Sequence, residues 1–526
     1  FDILYVYAGM GYLPYQFLLS DYNSRTDAYG GSPGNRVRLV AELIDAVREA
    51  THGRTAVALR ISLQELRARP SDNAHSEAHE VISLLADAPD LFDVKMDYSA
   101  TDCAPSRYVG EGSHEPVVDF VKSLTAKPVV GVGRFTSPDT MVSMIRRGVL
   151  DLVGGARPSI ADPFLPSKID AGREADIREC IGCNICISSW HDGVWVRCTQ
   201  NPTAGEEWRR SWHPEKTPRD GKGSVLVVGG GPAGLECALT LARRGFQVSV
   251  ADSGKDFGGR LLWESRLPGL RQWFRVIDYR MGQLRALPNV ALFPASPLTA
   301  ADIREFGADH VVLATGSRWT RALVGANELP GLPLDAPRVY TPDDIAAGAA
   351  IEGPVAVFDF DCYYMGTAIA ENLAARGLAT TYITTAGAAQ AWGIMTNEQP
   401  HVHVAFRKAG IAIRTLELVT GFDGQTLSLS HVFSGERRSI PARSLVIAGL
   451  RQGGAPLADD LRADGAPLPF TLTVTGDASA PGAIAHAVYQ GHKTARLLGH
   501  PPGHDPARRD SAFAAAGLDL PPDAIR

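Results

Sequence analysis

Short runs of β-branched and apolar residues alternate with longer amphipathic stretches from Phe1 to about Pro163. The apolar and period-two runs predict strands at Ile3–Val6, Thr55–Arg60, Leu91–Lys95, Pro128–Gly131 and Leu152–Gly154. Apolar residues at helical spacing predict helices at Asn35–Ala50, Ser76–Ala86, Pro116–Leu124 and Pro138–Arg147. Repeated strand-then-helix units imply parallel strands, and polar or Gly-bearing strand ends imply a barrel with its site at the C-terminal face. Five such units stand here, where a closed barrel takes eight and about 250 residues. The expected fold class is therefore α/β. Residues 1–170 form the C-terminal part of a (β/α)8 TIM barrel, and the first three units are expected upstream of Phe1 in a longer chain.

Beyond the barrel the pattern changes. A cysteine-rich connector and linker occupy 171–221, with Arg209–Gly223 rich in charge, Pro and Gly. A βαβ signal then opens at Val225 and a second strand-turn-helix at Val355. These predict two Rossmann-like domains, one at 222–350 with 455–500 and the other inserted at 353–450. Residues 501–526, rich in Pro and Ala, read as a loosely held tail.

The chain has 526 residues, with 52 Lys and Arg against 58 Asp and Glu and a formal charge of -6. That slight acidity, without a basic stripe, argues against a nucleic-acid partner. No run of about 18 apolar residues offers a membrane span, and the N-terminus lacks the basic and apolar regions of a signal peptide. Four of the seven cysteines crowd into one stretch, which favours a metal site in a reducing, cytoplasmic setting over a disulfide framework.

Those four, Cys180, Cys183, Cys186 and Cys198, follow the pattern C-x2-C-x2-C-x11-C. Three thiolates on one turn with a distant fourth suit an iron-sulfur cubane. Structural zinc is the alternative, although its ligands usually come as two separate knuckles. Next, Gly229, Gly231 and Gly234 follow the strand at Val225 and lead into a helix ending near Gly245. A second strand ends at Asp252, eighteen residues past Gly234, where an acid meets ribose hydroxyls. Strand, glycines, helix, strand and acid in register point to a dinucleotide site, against a glycine turn that binds nothing. Gly259 and Arg260 join its candidate residues, and Ala314 to Gly316 and Gly476-Asp477 fit the same architecture. At the second turn the glycine positions read Asp359, Asp361 and Tyr364. Two carboxylates facing any pyrophosphate would exclude a nicotinamide dinucleotide, leaving this unit as a packing element or docking surface.

In the barrel part, Gly133-Arg134 and Gly155-Ala156-Arg157 follow the last two strands, where barrels commonly hold a phosphate. Arg60 ends its own strand and could set a positive charge against the reduced N1 and O2 edge of a flavin. A surface ion pair is the plainer role for any one of these arginines.

Gly11-Tyr12-Leu13, Gln16-Phe17-Leu18, Asn23, Arg25-Thr26-Asp27, Tyr29 to Ser32 and Asn35-Arg36 resemble the Old Yellow Enzyme class of FMN barrels. Barrel, cysteine connector and tandem dinucleotide domains together resemble the branch of trimethylamine, dimethylamine and histamine dehydrogenases and 2,4-dienoyl-CoA reductase. Ala156 to Pro166, Cys180 to Ser188, Cys198 to Asn201, Thr203 to Glu207 and Trp212 to Lys216 look specifically like the trimethylamine dehydrogenase group.

The resemblance implies FMN, a 4Fe-4S cluster and ADP or FAD as cofactors. It also implies an amine substrate, an electron-transferring flavoprotein as acceptor, and a homodimer. Reductases of this class hold a substrate carbonyl with two hydrogen-bonding side chains three residues apart, and here those positions are Tyr7 and Met10. Methionine is no useful donor to a carbonyl. Tyr7 and Asp102 match two members of the amine dehydrogenases' Tyr-His-Asp triad, while Met10 stands at the position of its His. Tyr12 is the third catalytic candidate. Trp190 resembles a Trp of the aromatic bowl that holds alkylammonium groups, or is a lid over the cluster. Ser99 stands where another bowl Trp is expected, which implies a bulkier or partly polar secondary or tertiary amine.

The reading is an amine dehydrogenase passing electrons from FMN to the cluster to a flavoprotein. An NAD(P)H-dependent enoate or dienoyl-CoA reductase is one alternative. A non-catalytic electron-transfer or binding protein is the other.

Overall fold

The computed structural model describes residues 1–67, 77–209, 212–321, 336–463 and 465–501. The chain divides into two compact units, Phe1–Glu174 and Ala175–Arg526.

The first unit is built on five strands, β1 (Ile3–Ala8), β2 (Ala56–Ser62), β3 (Leu91–Lys95), β4 (Val129–Gly131) and β5 (Leu152–Val153). They pair in parallel in chain order, within two residues of the strands expected from the pattern. Helices Arg38–Ala50, Glu77–Leu85 and Pro138–Arg146 cross between them. Ser76, the expected start of the second, lies outside the described residues. The helix expected over Pro116–Leu124 is instead a short turn, Glu115–Val118, and a 3-10 turn, Val121–Ser123. Val117, Val118 and Val121 are β-branched and weak helix formers.

Side chains on β1–β3 alternate strictly. Val6, Ala8, Val57, Leu59, Ile61, Phe92 and Val94 join the hydrophobic core with Val40, Ile44, Val81, Ile82 and Leu85 of the helices. The residues between them, Tyr7, Arg60, Asp93 and Lys95, point to the other face, because successive strand side chains alternate.

In the second unit five parallel strands run in the order Thr471–Val474, His310–Leu313, Ser224–Val228, Gln247–Ala251 and Val290–Phe293. The helix Pro232–Arg244 follows Ser224–Val228, begins on a proline and stops at Gly245, which is left-handed (φ 103°). It packs on the C-terminal helix Ile484–Leu497. Between the two helices lies a buried charge cluster. Glu236 accepts hydrogen bonds from Arg280 Nε (2.8 Å) and His492 Nδ1 (2.9 Å), and Arg280 also holds the side-chain and backbone oxygens of Gln200 at 3.0 Å. Burial alone would raise the Glu236 carboxyl, but Arg280 and the His492 hydrogen bond outweigh it and bring it down to about 2.

A second parallel sheet runs Val339–Tyr340, Ser444–Ala448, Val355–Asp359, Thr380–Thr384 and Ala412–Arg414. A three-stranded antiparallel sheet from Glu417 to Pro441 follows its last strand, and Ser317–Trp319 pairs antiparallel with Arg451–Gly453. The expected linker is tied down near its start, since Trp212 is 5% exposed and takes the Arg209 guanidinium over its ring at 4.5 Å. Beyond Pro501 the tail lies outside the described residues.

Candidate functional site

In the first unit the chemistry gathers at the C-terminal ends of the strands. Tyr7, Arg60 and Asp93 are register partners across β1, β2 and β3, so they stand at one level. Arg60 donates to Asp93 Oδ2 at 2.6 Å, and its guanidinium lies 5.7 Å from the centre of the Tyr7 ring. Burial holds the Asp93 carboxyl above its usual range, with Arg60 opposing. Two residues along β3, the Lys95 ammonium is 1% exposed; it donates to the Tyr7 hydroxyl at 3.3 Å and to the backbone oxygen of Asp97, and is ion-paired with Asp102. Asp102 also accepts the Asp97 N–H at 3.1 Å. Burial, then the nearby Glu65 and Asp102, push the Asp97 carboxyl up to about 6, and burial takes His114 down to about 4.

Tyr12 meets Tyr7 edge to face at 5.4 Å between ring centres. Met10 sits in the turn after β1 with φ 53°, half-buried. Ser99 opens the short helix Ser99–Asp102, and its side chain lies outside what the structure describes. After β4, Gly133 accepts a backbone hydrogen bond from Gly112 (2.9 Å), and Arg134, itself left-handed at φ 54°, donates to the Val109 oxygen at 2.8 Å. After β5, Gly155 caps the helix Ala156–Ala161. Arg157 donates to the carbonyls of Ala104 (3.2 Å) and Asp102 (3.3 Å), so it fixes the loop that carries the Asp102 carboxylate.

The four cysteines lie in the second unit and none is in a disulfide. Left-handed Gly182 (φ 62°) and Asn184 (φ 58°) turn the chain between them, and Cys186 stands in the first turn of the helix Ile185–His191. Cys183 Sγ is 3.1 Å from Thr199 Oγ1. Burial pushes the Cys183 thiol up to about 12 and the Cys198 thiol to about 11, with repulsion from neighbouring cysteines added. Among the described residues no group of three or more His, Cys, Asp or Glu side chains is placed ready to hold a metal ion. Trp190, on the same helix, is 63% exposed.

A cavity of about 400 Å³ opens over the glycine turn of the second unit. Gly229, Gly231, Asp252, Gly259 and Arg260 line it, with Ala314 to Gly316 and Asp477. Gly234 lies behind, where a Cβ would stand 1.9 Å from the Gly229 oxygen, so helix and strand approach this closely only with glycine. Asp252 accepts the N–H groups of Gly230 (2.6 Å) and Gly254 (2.7 Å). Asp477 gathers Arg260 (2.7 Å), Arg451 (2.6 Å) and Ser317 (3.0 Å) on one carboxylate oxygen.

At the second turn the expectation that Asp359 faces outward needs correcting. Asp359 is fully buried and accepts from the Tyr382 hydroxyl at 2.5 Å and the Cys362 N–H at 2.9 Å. Tyr364 faces away from its own turn and lines the cavity of the first, donating to Glu264 Oε2 at 2.7 Å. Pattern reasoning missed Lys95, Asp93, Arg451 and Glu264 as site residues. For the first two a signal existed, since charges at alternate positions end an otherwise apolar strand; Arg451 and Glu264 reach the cavity through tertiary packing alone.

The NADH:flavin oxidoreductase / NADH oxidase family matches residues 1–176, and the pyridine nucleotide-disulphide oxidoreductase family matches 223–464. Dimethylamine dehydrogenase of Hyphomicrobium sp. (strain x) is 35% identical over 95% of this chain and 72% of its own length. The chain belongs to the dimethylamine dehydrogenase family of Old Yellow Enzyme-class flavoproteins. Members of the family with solved structures are similar throughout. The 6-hydroxypseudooxynicotine amine oxidase (HisD) of Pseudomonas geniculata N1 is 46% identical, with a TM-score of 0.90 over 95% of this chain and 76% of that one. Histamine dehydrogenase of Rhizobium sp. 4-9 is 41% identical, with a TM-score of 0.92 over 96% and 75%. The family's FMN-binding TIM barrel and dinucleotide-binding domain are thus the fold of this chain, and FMN is the family's cofactor. The site fits a flavin, because Arg60 supplies a cation at the strand ends and the buried Asp93 Oδ1, Asp97 Oδ1 and His114 Nδ1 have no hydrogen-bond partner among the described residues.

Proposed function

We propose that this protein is an FMN-dependent amine dehydrogenase acting on a secondary, tertiary or biogenic amine. Its relationship to three amine-oxidising enzymes at 35–46% identity carries the reading. Bound FMN supplies the hydride acceptor for the carbon next to nitrogen, and the resulting iminium hydrolyses to an aldehyde and a smaller amine. The chain's own residues bind the amine and govern its proton. Tyr7 faces the amine nitrogen, Asp102 supports it from the β3 loop, and Tyr12 packs against the Tyr7 ring. Met10, in place of a hydrogen-bond donor, leaves no second group to polarise a substrate carbonyl, which weighs against enone reduction. Arg60 sets its charge against the flavin, while Gly133, Arg134, Gly155, Ala156 and Arg157 surround its phosphate. Ser99 shapes the amine pocket.

Cys180, Cys183, Cys186 and Cys198 hold a 4Fe-4S cluster. Thiols that burial keeps protonated become ligands when a metal centre supplies the opposing charge. The cavity at Gly229, Gly231, Gly234, Asp252, Gly259 and Arg260 takes ADP or FAD. The domains are the barrel part at 1–170, the cluster connector at 171–221, the nucleotide domain at 222–350 with 455–500, its insert at 353–450, and the tail. Electrons leave to an electron-transferring flavoprotein. The enzyme is a homodimer in the cytoplasm, a setting supported by seven cysteines of which none is in a disulfide. Among the described residues no helix is long and apolar enough to cross a membrane.

The test is an anaerobic visible-absorbance titration of the full-length, cofactor-loaded protein with a panel of methylated and biogenic amines and, separately, NADH and NADPH. Bleaching by an amine and by neither nicotinamide is the expected result. Prompt bleaching by NADPH with no response to any amine would overturn the proposal in favour of a reductase.

A further inference from the structure

Lys95 is a buried cation standing between two carefully placed oxygens. An ammonium has three donors and no acceptor, and here all three are taken: the Tyr7 hydroxyl at 3.3 Å, the Asp97 backbone oxygen, and the Asp102 carboxylate. Its side chain is 1% exposed, and a buried cation is retained at a cost that a close carboxylate must offset. Because Nζ donates to Tyr7 Oη, the phenol's own proton points away from Lys95. Tyr7 and Asp102 have no direct hydrogen bond among those described; Lys95 is the group that joins them.

We propose that Lys95 is the positioning residue of the proton-handling site, linking Tyr7 to Asp102 and presenting the Tyr7 oxygen to the substrate as a proton acceptor. This rests on the amine dehydrogenase reading. A substrate arriving as an ammonium gives one proton to the Tyr7 oxygen; its N–H bond breaks, an O–H bond forms, and the neutral amine is left with its lone pair. Lys95 keeps its protons and remains paired with Asp102, so the step moves one proton and no electrons. The other charges around this pair set the background. Arg60, on β2, lies over the Tyr7 ring, is itself hydrogen-bonded to the Tyr7 side chain, and is paired with Asp93 on β3. From the β3 loop Asp97 faces Lys95, and Glu65, following β2, acts on Asp97. Cys103, His114 and Arg157 lie within electrostatic reach of Lys95 and Asp102 or of each other, with Tyr12 the neutral neighbour of the Tyr7 ring.

Two readouts on the loaded protein test it, using Lys95→Met, Asp102→Asn and the double variant. The first is the pH dependence of flavin bleaching by the amine found above. The second, which needs no substrate, is the near-ultraviolet tyrosinate titration, with Tyr7→Phe as the blank. Removing the cation moves both midpoints up by about 1–3 pH units, removing the anion alone moves them down, and the double variant falls between. A merely structural lysine gives no such opposition of sign. Equal tyrosinate midpoints in wild type, single and double variants would overturn the role of Lys95 even if amines bleach the flavin. The expected order with no amine response would uphold that role and overturn the amine reading alone. Should Lys95→Met fail to fold, the double variant against Asp102→Asn still isolates the cation.

Discussion

The Tyr364 hydroxyl, from the second dinucleotide-type turn, donates a 2.7 Å hydrogen bond to Glu264 in the nucleotide cavity of the first. Glu264 is 2% exposed, and its carboxylate is held by this donor and by Arg260 at 3.6 Å. Tyr364→Phe should cost about 1–3 kcal/mol and weaken retention of the ADP or FAD proposed for this cavity. Thermal unfolding and chromatography of the nucleotide released on denaturation check both effects.

Asp359 gives stability a distinctive dependence on pH. Burial, reinforced by repulsion from Asp361, pushes its carboxyl up to about 7. The folded state therefore holds a proton that the unfolded state has already lost. Stability contributed by this group is full below about pH 4, falls as pH rises toward 7, and is flat above, a change on the order of 4 kcal/mol. Asp359→Asn keeps an acceptor for Tyr382 and should flatten that slope in denaturant melts taken across this range.

Arg280 is wholly buried against Glu236. Arg280→Met should lower stability by about 3–5 kcal/mol, because it leaves a carboxylate in the interior without its cation. It also releases Gln200, two residues from Cys198. Adding Glu236→Gln should recover part of the loss in urea denaturation, whereas an unimproved double variant would show that the pair matters through packing.

Cys183→Ser should abolish bound iron and its visible absorbance in the purified protein. Cys103→Ser, in the other compact unit, should leave iron content unchanged. Iron retained by Cys183→Ser, or zinc found in the wild type by elemental analysis, would contradict the cluster assignment.

Much of this was legible in the residues. Strand-helix alternation gave β1–β5 because each run's apolar face is set by its neighbours in sequence. The glycine turn could be read because Gly229 and Gly234 answer to local backbone constraints. What escaped the reading depends on contacts distant in sequence. Lys95 meets Tyr7 across 88 residues, and Tyr364 meets Glu264 across 100. Asp359 misled for the complementary reason: its position in the motif was recognisable, but its rotation toward Tyr382 is set by the neighbouring strand. The broken helix after Glu115 shows β-branched residues overriding a weak periodicity.

The alternation on β1–β3 excludes any register shifted by one residue. A slip of one residue would carry Arg60, Asp93 and Lys95 into the oily layer beneath the helices and bring Leu59, Phe92 and Val94 up to replace them. Burying those charges without partners is prohibitive, so the charged groups at the strand ends also proofread the folding, and a chain that misaligns its strands by one residue forfeits the sheet along with the cluster it carries.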